Sequence, residues 1–203
     1  MAHREQVLHL LTDAMNRCRR TSAPQSIFSE PEARHLDAAV QWLASQRILF
    51  PTGAQSGLVL MHTEWCFLHQ TFFDYCYAKR FVERGERLYE NIRDGEQGLF
   101  SRPQVIQVLS YLRGSAPAAY LRELSLLLNA SESETALRFH LRDHVMRWFG
   151  SLPSPTDDEW LIARRMLVNP ARRARVLTVM QGNSGWFARL KGMLEQTILS
   201  SPA

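Results

Sequence analysis

The apolar positions change period twice along the chain. Between residues 4 and 19 they recur at intervals of three and four, so Val7, Leu11, Ala14, Met15 and Cys18 form one stripe of a predicted helix. Arg19, Arg20 and the polar run TSAPQS close it. A second helix is predicted from Ser29 to about Gln46. Ser29-Glu30-Pro31-Glu32 has the capping-box pattern, with Pro early in the first turn, where its missing N–H costs little. Leu36, Ala39, Val40 and Leu43 supply that helix's stripe.

The period then becomes that of strands. Ile48-Leu49-Phe50 is a short apolar strand, followed by the turn-rich PTGAQSG. Leu58–His62 and Trp65–His69 flank Thr63-Glu64 and predict two strands of a tight hairpin. From Gln70 to Arg84 helical spacing returns, with Phe73, Cys76, Tyr77 and Phe81 on one face. Helix, helix, strand, loop, hairpin is the order of a winged-helix unit. A lone hairpin is marginal in water, so this one must lie on the preceding helices.

Beyond Gly85 the pattern is helical throughout. A short piece at 86–93 and the loop DGEQGLF precede predicted helices near 102–113, 117–129, 134–149, 156–168, 170–181 and 184–199. GSAP, NASESE, GSLPSP, Asn169-Pro170 and GNSG separate them, all turn chemistry. Paired in order, these helices make three hairpins starting roughly 32 and 36 residues apart, the spacing of a HEAT-like solenoid. An irregular helical bundle is the alternative. The expected fold is therefore mainly α: a winged-helix unit with a small β-hairpin, followed by a HEAT-like α-helical solenoid. The expected organisation is a helical lead-in at 1–28, a winged-helix domain at 29–84 and a helical repeat domain at 85–203.

Composition narrows the class without naming a chemistry. At 203 residues, 45% apolar and 22% charged, the chain has the make-up of a globular protein. No apolar run approaches the ~20 residues that span a bilayer. The first twenty residues carry scattered charges and no cleavage site of small residues, so no signal peptide is expected, and the expected location is cytoplasmic. Cys18, Cys66 and Cys76 are odd in number and widely spaced, which predicts buried free thiols and no disulfide framework. The net charge of +4 permits an acidic partner without demanding nucleic acid.

Motifs for nucleotide hydrolysis are missing. There is no GxxxxGK followed by Ser or Thr, no GxGxxG after a strand, no HExxH and no GxSxG. No catalytic residue and no resident cofactor are expected, and the chain alone is not expected to be an enzyme. His140 and His144 stand four apart on a helix, a spacing that can hold a metal, but Leu137, Leu141, Val145 and Trp148 share their face. His62, Cys66 and His69 form a second loose group, which strand alternation splits between two faces. No metal site is expected. Asp157-Asp158-Glu159 opens a helix, where negative charge complements the macrodipole. Arg164, Arg165, Arg172, Arg173, Arg175, Arg189 and Lys191 fill a stretch without any acid. They read as a solvated face before they read as a nucleic-acid patch, because no aromatic ladder interleaves them.

One stretch carries a more specific signal. Trp65 to Phe81 is the densest aromatic run in the chain and joins a strand directly to a helix. Within it, Phe67-Leu68-His69-Gln70-Thr71-Phe72-Phe73-Asp74-Tyr75-Cys76-Tyr77-Ala78 resembles the signature that closes the winged-helix domain of STAND NTPases of the NACHT type. That signature reads roughly Phe, any, His, any, Ser or Thr, Phe, any, Glu or Asp, Tyr or Phe, any, Ala, Ala. Phe67, His69, Thr71, Phe72, Asp74, Tyr75 and Ala78 match it. Asp74 stands where Glu is commoner, and Tyr77 where a small residue is usual. The segment LDAAVQWLASQRIL resembles the family's helix leading into the wing, with Gln46-Arg47 in place of its glycine region. The resemblance covers about residues 29–84 and extends to the flanks only by order of domains.

The resemblance implies a function. In such proteins an upstream P-loop ATPase module binds ATP or ADP with Mg, and the winged-helix domain folds back on it in the ADP-bound resting state. The motif histidine, here His69, would contact the ADP phosphates, although the ATPase module is absent from this sequence. The partners implied are that module, further copies of the protein on activation, and a sensed ligand protein on the helical repeats. Read from the residues alone, His69 caps the following helix or pairs with Asp74, while Phe67, Phe72, Phe73 and Tyr75 are core anchors, and Asp74 and Lys79 orient locally. Two other functions remain open: a HEAT-like interaction scaffold without a nucleotide switch, and a winged-helix nucleic-acid-binding protein. The second lacks basic residues on the helix before the wing. No membrane partner is expected.

Overall fold

The structure, a computed structural model, describes residues 2–28, 33–52, 63–95, 101–129 and 137–199. It is mainly helical with one small three-stranded antiparallel sheet. The chain divides into two compact units, Met1–Glu86 and Arg87–Ala203. Among the described residues no helix is long and apolar enough to cross a membrane.

In the first unit, α1 (Ala2–Cys18) packs against α2 (Asp37–Ser45) and α3 (Gln70–Glu83). The stripes read from periodicity form the interior: Val7, Leu11 and Met15 of α1, and Leu36, Ala39, Val40 and Leu43 around α2, are buried. Charge holds the α1–α3 seam from outside. Lys79 pairs with Glu5, Arg84 Nη2 lies 2.5 Å from Asp13 Oδ2, and Arg80 lies 3.7 Å from the same carboxylate. Both α1 and α2 stop on an arginine in the left-handed region, Arg19 at φ 51° and Arg47 at φ 56°. Each makes the paired backbone bonds of a Schellman ending: Arg20 N–H to Met15 O and Ile48 N–H to Leu43 O, both at 3.0 Å.

The sheet joins β1 (Ala23–Pro24), β2 (Leu49–Thr52) and β3 (Glu64–Phe67) in the order β1-β3-β2. Proline explains this order. β1 contains Pro24 and β2 contains Pro51, and a strand with proline cannot donate on both sides, so each lies at an edge. β3 has no proline and takes the centre, with Leu49 opposite Phe67 and Ala23 opposite Trp65.

The expected tight hairpin is corrected here. Glu64 is not a turn residue; it lies inside β3, opposite both Pro24 and Thr52. The antiparallel partner of β3 on that side is β2, reached through a much longer connection. Leu58–His62, expected as the other hairpin strand, and the capping box at Ser29–Glu32 lie outside the described residues. The part of the second predicted helix that is described begins with a 3-10 turn, Arg34–Leu36, ahead of α2.

The second unit contains α4 (Leu88–Asp94), α5 (Ser101–Ser115), α6 (Pro117–Asn129), α7 (Phe139–Gly150), α8 (Asp157–Val168), α9 (Pro170–Met180) and α10 (Ser184–Leu199). α5 packs on its successor α6. Beyond it, α8 packs most closely on its successor α9, and α7 packs on α9 as well as on α5 and α6. Two glycines permit these approaches. A Cβ on Gly150 would lie 2.6 Å from Val179 O, and one on Gly185 would lie 2.3 Å from Pro153 O. Trp186 fills the space beside them, fully buried, donating to Phe149 O at 3.1 Å with the two rings 4.8 Å apart.

Candidate functional site

The aromatic stretch splits into two faces. Successive helix residues are about 100° apart, so Phe73 and Tyr77 share one side of α3 while Phe72 and Tyr75 share another. On the inner side Phe67, Phe73, Tyr77 and Phe81 form a ladder with ring centroids 6.0, 6.4 and 6.0 Å apart. Phe67, Phe73 and Phe81 are buried, as core anchors should be. Phe72 and Tyr75 are not, at 43% and 47% exposed, and this corrects their expected role. Leu68, one turn before Phe72, is exposed to 43%. Leu68, Phe72 and Tyr75 are therefore three exposed apolar side chains at or just before the first two turns of α3.

His69 sits between Leu68 and the first turn of α3. It is the N-cap residue of α3, with extended backbone at φ −124° and ψ 133°, and its side chain makes no capping hydrogen bond. The ring is exposed and lies 6.2 Å from that of Phe72. Neither local role expected from the residues is observed. Asp74 accepts instead from Gln70 Nε2 at 3.1 Å, and burial pushes its carboxyl up against that bond. The helix N-terminus, with its partial positive charge, is thus left without a side-chain cap beside an exposed imidazole, while the Phe72 N–H donates to His69 O at 3.0 Å. Such an arrangement suits an anion. Lys79, expected to act locally, reaches across to α1.

The other candidate groups come out as follows. Cys66 is buried and its thiol lies 3.6 Å from Phe50 O, whereas His69 is exposed, so the two do not converge; His62 lies outside the described residues. Cys76 is half-buried, but Cys18 is exposed at the end of α1, against expectation. His140 and His144 are half-buried on α7. Among the described residues Glu5, His9 and Glu83 bring one ligand atom each within 4.8 Å of one another, a grouping that sequence distance hid. The Lys79 ammonium already pairs with both of these carboxylates.

Several of the clustered arginines have work inside the fold. Arg172 donates to Leu128 O at 3.0 Å, Arg173 to Leu167 O at 2.9 Å and Arg189 to Pro155 O at 3.0 Å, while Arg175 pairs with Asp143. These guanidiniums bind helix ends and neighbouring acids, which reduces the cationic surface left for a nucleic-acid backbone.

The comparisons with known proteins leave the chain by itself. No family model, curated protein or solved structure matches it.

Proposed function

We propose that this chain is the regulatory part of a nucleotide-dependent switch of the STAND class, resembling the NACHT type, acting in the cytoplasm. The observation that carries this reading is His69: it stands exposed at the N-cap of α3 with no side-chain cap, its ring 6.2 Å from the exposed Phe72. The motif resemblance assigns a phosphate contact to that histidine, and its N–H is a suitable donor for a phosphate oxygen. The exposed Leu68, Phe72 and Tyr75 would dock the P-loop module that holds ADP. Exchange of ADP for ATP would release this contact, a two-state switch biased by ligand, and free the protein to self-associate. The second unit then serves as the surface that senses a ligand protein. The chain performs no catalysis in this scheme; ATP or ADP and Mg belong to the partner module.

The test is reconstitution with the P-loop ATPase module encoded in the same polypeptide or beside it. Calorimetry should show binding to the ADP-loaded module and weaker binding to the ATP-loaded one. His69→Ala should weaken the ADP-state complex on the order of ten-fold, the scale of one hydrogen bond to a charged group. Phe72→Ser should weaken it in both nucleotide states. Equal affinity for the two nucleotide states, or no neighbouring P-loop module at all, would overturn the reading.

A further inference from the structure

The second unit carries an apolar groove of about 860 Å³ on the outer side of α8, α9 and α10. Leu167 and Val168 end α8, Leu177 comes from α9, and Phe187 and Leu190 come from α10; all line it. Val168 is 71% exposed and Phe187 is 59% exposed, values that leave large apolar side chains in water. Single exposed apolar residues need no explanation, but a contiguous concave set marks an interaction surface.

Charge around the groove is mostly positive. Arg164, Arg173 and Lys191 stand at its edge, against the single acid Glu195, which Lys191 meets at 3.7 Å. Arg164 makes no ion pair among the described residues. Arg173 also donates to Leu167 O at 2.9 Å, and its neighbours Arg172, Arg175 and Arg189 are engaged with the fold, so Arg164 and Lys191 are the edge cations turned most freely to the groove.

We infer that this groove docks an amphipathic helix whose apolar stripe is flanked by Asp and Glu. All three walls are helices with internally satisfied backbones, so there is no strand edge for an extended peptide to join; a helix laid in the groove is the remaining common mode. The apolar floor takes residues at helical spacing, and the cationic edge takes the acids beside them, steering the approach. The occupant is a partner helix of that chemistry. None of the chain's own undescribed segments, 29–32, 53–62, 96–100, 130–136 and 200–203, combines two acids with two large apolar residues.

The probe is a synthetic helical peptide with Leu and Phe on one face and Glu on both flanks, followed by fluorescence anisotropy. A second peptide has the same apolar face and Lys in place of Glu. The acidic peptide should bind with micromolar Kd and the basic one at least ten-fold more weakly. Val168→Asp and Phe187→Asp lie at exposed positions, so the fold should survive them, and each should abolish binding. Arg164→Glu combined with Lys191→Glu should invert the preference, weakening the acidic peptide by on the order of ten-fold. Equal affinity for the two peptides would overturn the proposal. So would retention of binding in Val168→Asp, dimerisation through the groove with no peptide binding, or binding only to vesicles of phosphatidylcholine with phosphatidylglycerol.

Discussion

Arg113 and Glu159 meet as a forked pair inside the helical unit: Nε lies 2.7 Å from Oε1 and Nη2 lies 3.1 Å from Oε2. The Tyr120 hydroxyl donates to the same Oε1 at 2.7 Å, and the Thr156 N–H donates to Oε2 at 2.7 Å. Thr156 Oγ1 in turn accepts from Glu159 N–H at 3.2 Å, completing a capping box. One fully buried carboxylate thereby ties α5, α6 and the start of α8 together.

Burial alone would raise the Glu159 carboxyl; Arg113, Tyr120 and Thr156 hold it below the usual carboxylate range. A depressed native value stabilises the fold above the unfolded carboxylate's pKa, and the contribution is lost as pH falls through the native value. Thermal melts across acid pH should show this loss, and Glu159→Gln should flatten the slope. At neutral pH the same substitution should cost about 3 kcal/mol, because it leaves Arg113 facing a neutral partner in a buried site.

Arg47 occupies the left-handed region that glycine adopts freely. Arg47→Gly should therefore stabilise the first unit by about 1 kcal/mol, net of the extra freedom it gives the unfolded chain. The urea midpoint should move up with no change in slope. A β-branched Arg47→Val should move it down.

Gly150 and Gly185 face backbone atoms, which cannot swing aside. Gly150→Ala and Gly185→Ala should each cost about 1–3 kcal/mol in chemical denaturation. Gly114 lies in α5 with nothing within 4 Å of an added Cβ. Gly114→Ala should be stabilising by up to about 1 kcal/mol, from helix propensity alone.

The two faces of α3 should separate in mutagenesis. Phe73 is fully buried, so Phe73→Ala should cost about 3–5 kcal/mol. Phe72→Ser and Tyr75→Ser should stay within about 0.5 kcal/mol, since they remove exposed rings. Denaturation of the three variants side by side would distinguish a docking face from a core.

The three thiols should react in order of exposure. Cys18 is open to solvent, burial raises Cys66, and burial pushes Cys76 up to about 11. At about pH 8 a disulfide reagent should modify Cys18 quickly in the native protein and all three thiols only after unfolding.

Helix positions were legible in the residues because helical periodicity is a local property. The six helices from α5 to α10 lie close to their predicted spans, and the α2 stripe and Val7, Leu11 and Met15 of the α1 stripe are buried, since each is written at intervals of three and four, whereas Cys18 at the end of α1 is exposed. The burial of Phe73 and the exposure of Phe72 were also readable, by counting turns of α3; density of aromatics alone misled, because adjacent helix positions lie about 100° apart and cannot share one face. The prolines held the clue to the sheet order. The partner of β3 was not legible, because Ala23-Pro24 is too short to announce itself and antiparallel pairing across a long connection has no local signature.

By itself, then, the amino-acid sequence determined which segments become helices, where they stop and which motif surrounds His69, since these follow from short-range periodicity, capping and turn chemistry. Tertiary structure alone decided the rest. It joined Glu159 to Arg113 across 46 residues and gathered Glu5, His9 and Glu83 from opposite ends of the first unit. It also left Leu68 exposed just before α3. Those outcomes depend on which surfaces meet, and the free energy of meeting is shared among residues that no local pattern brings together.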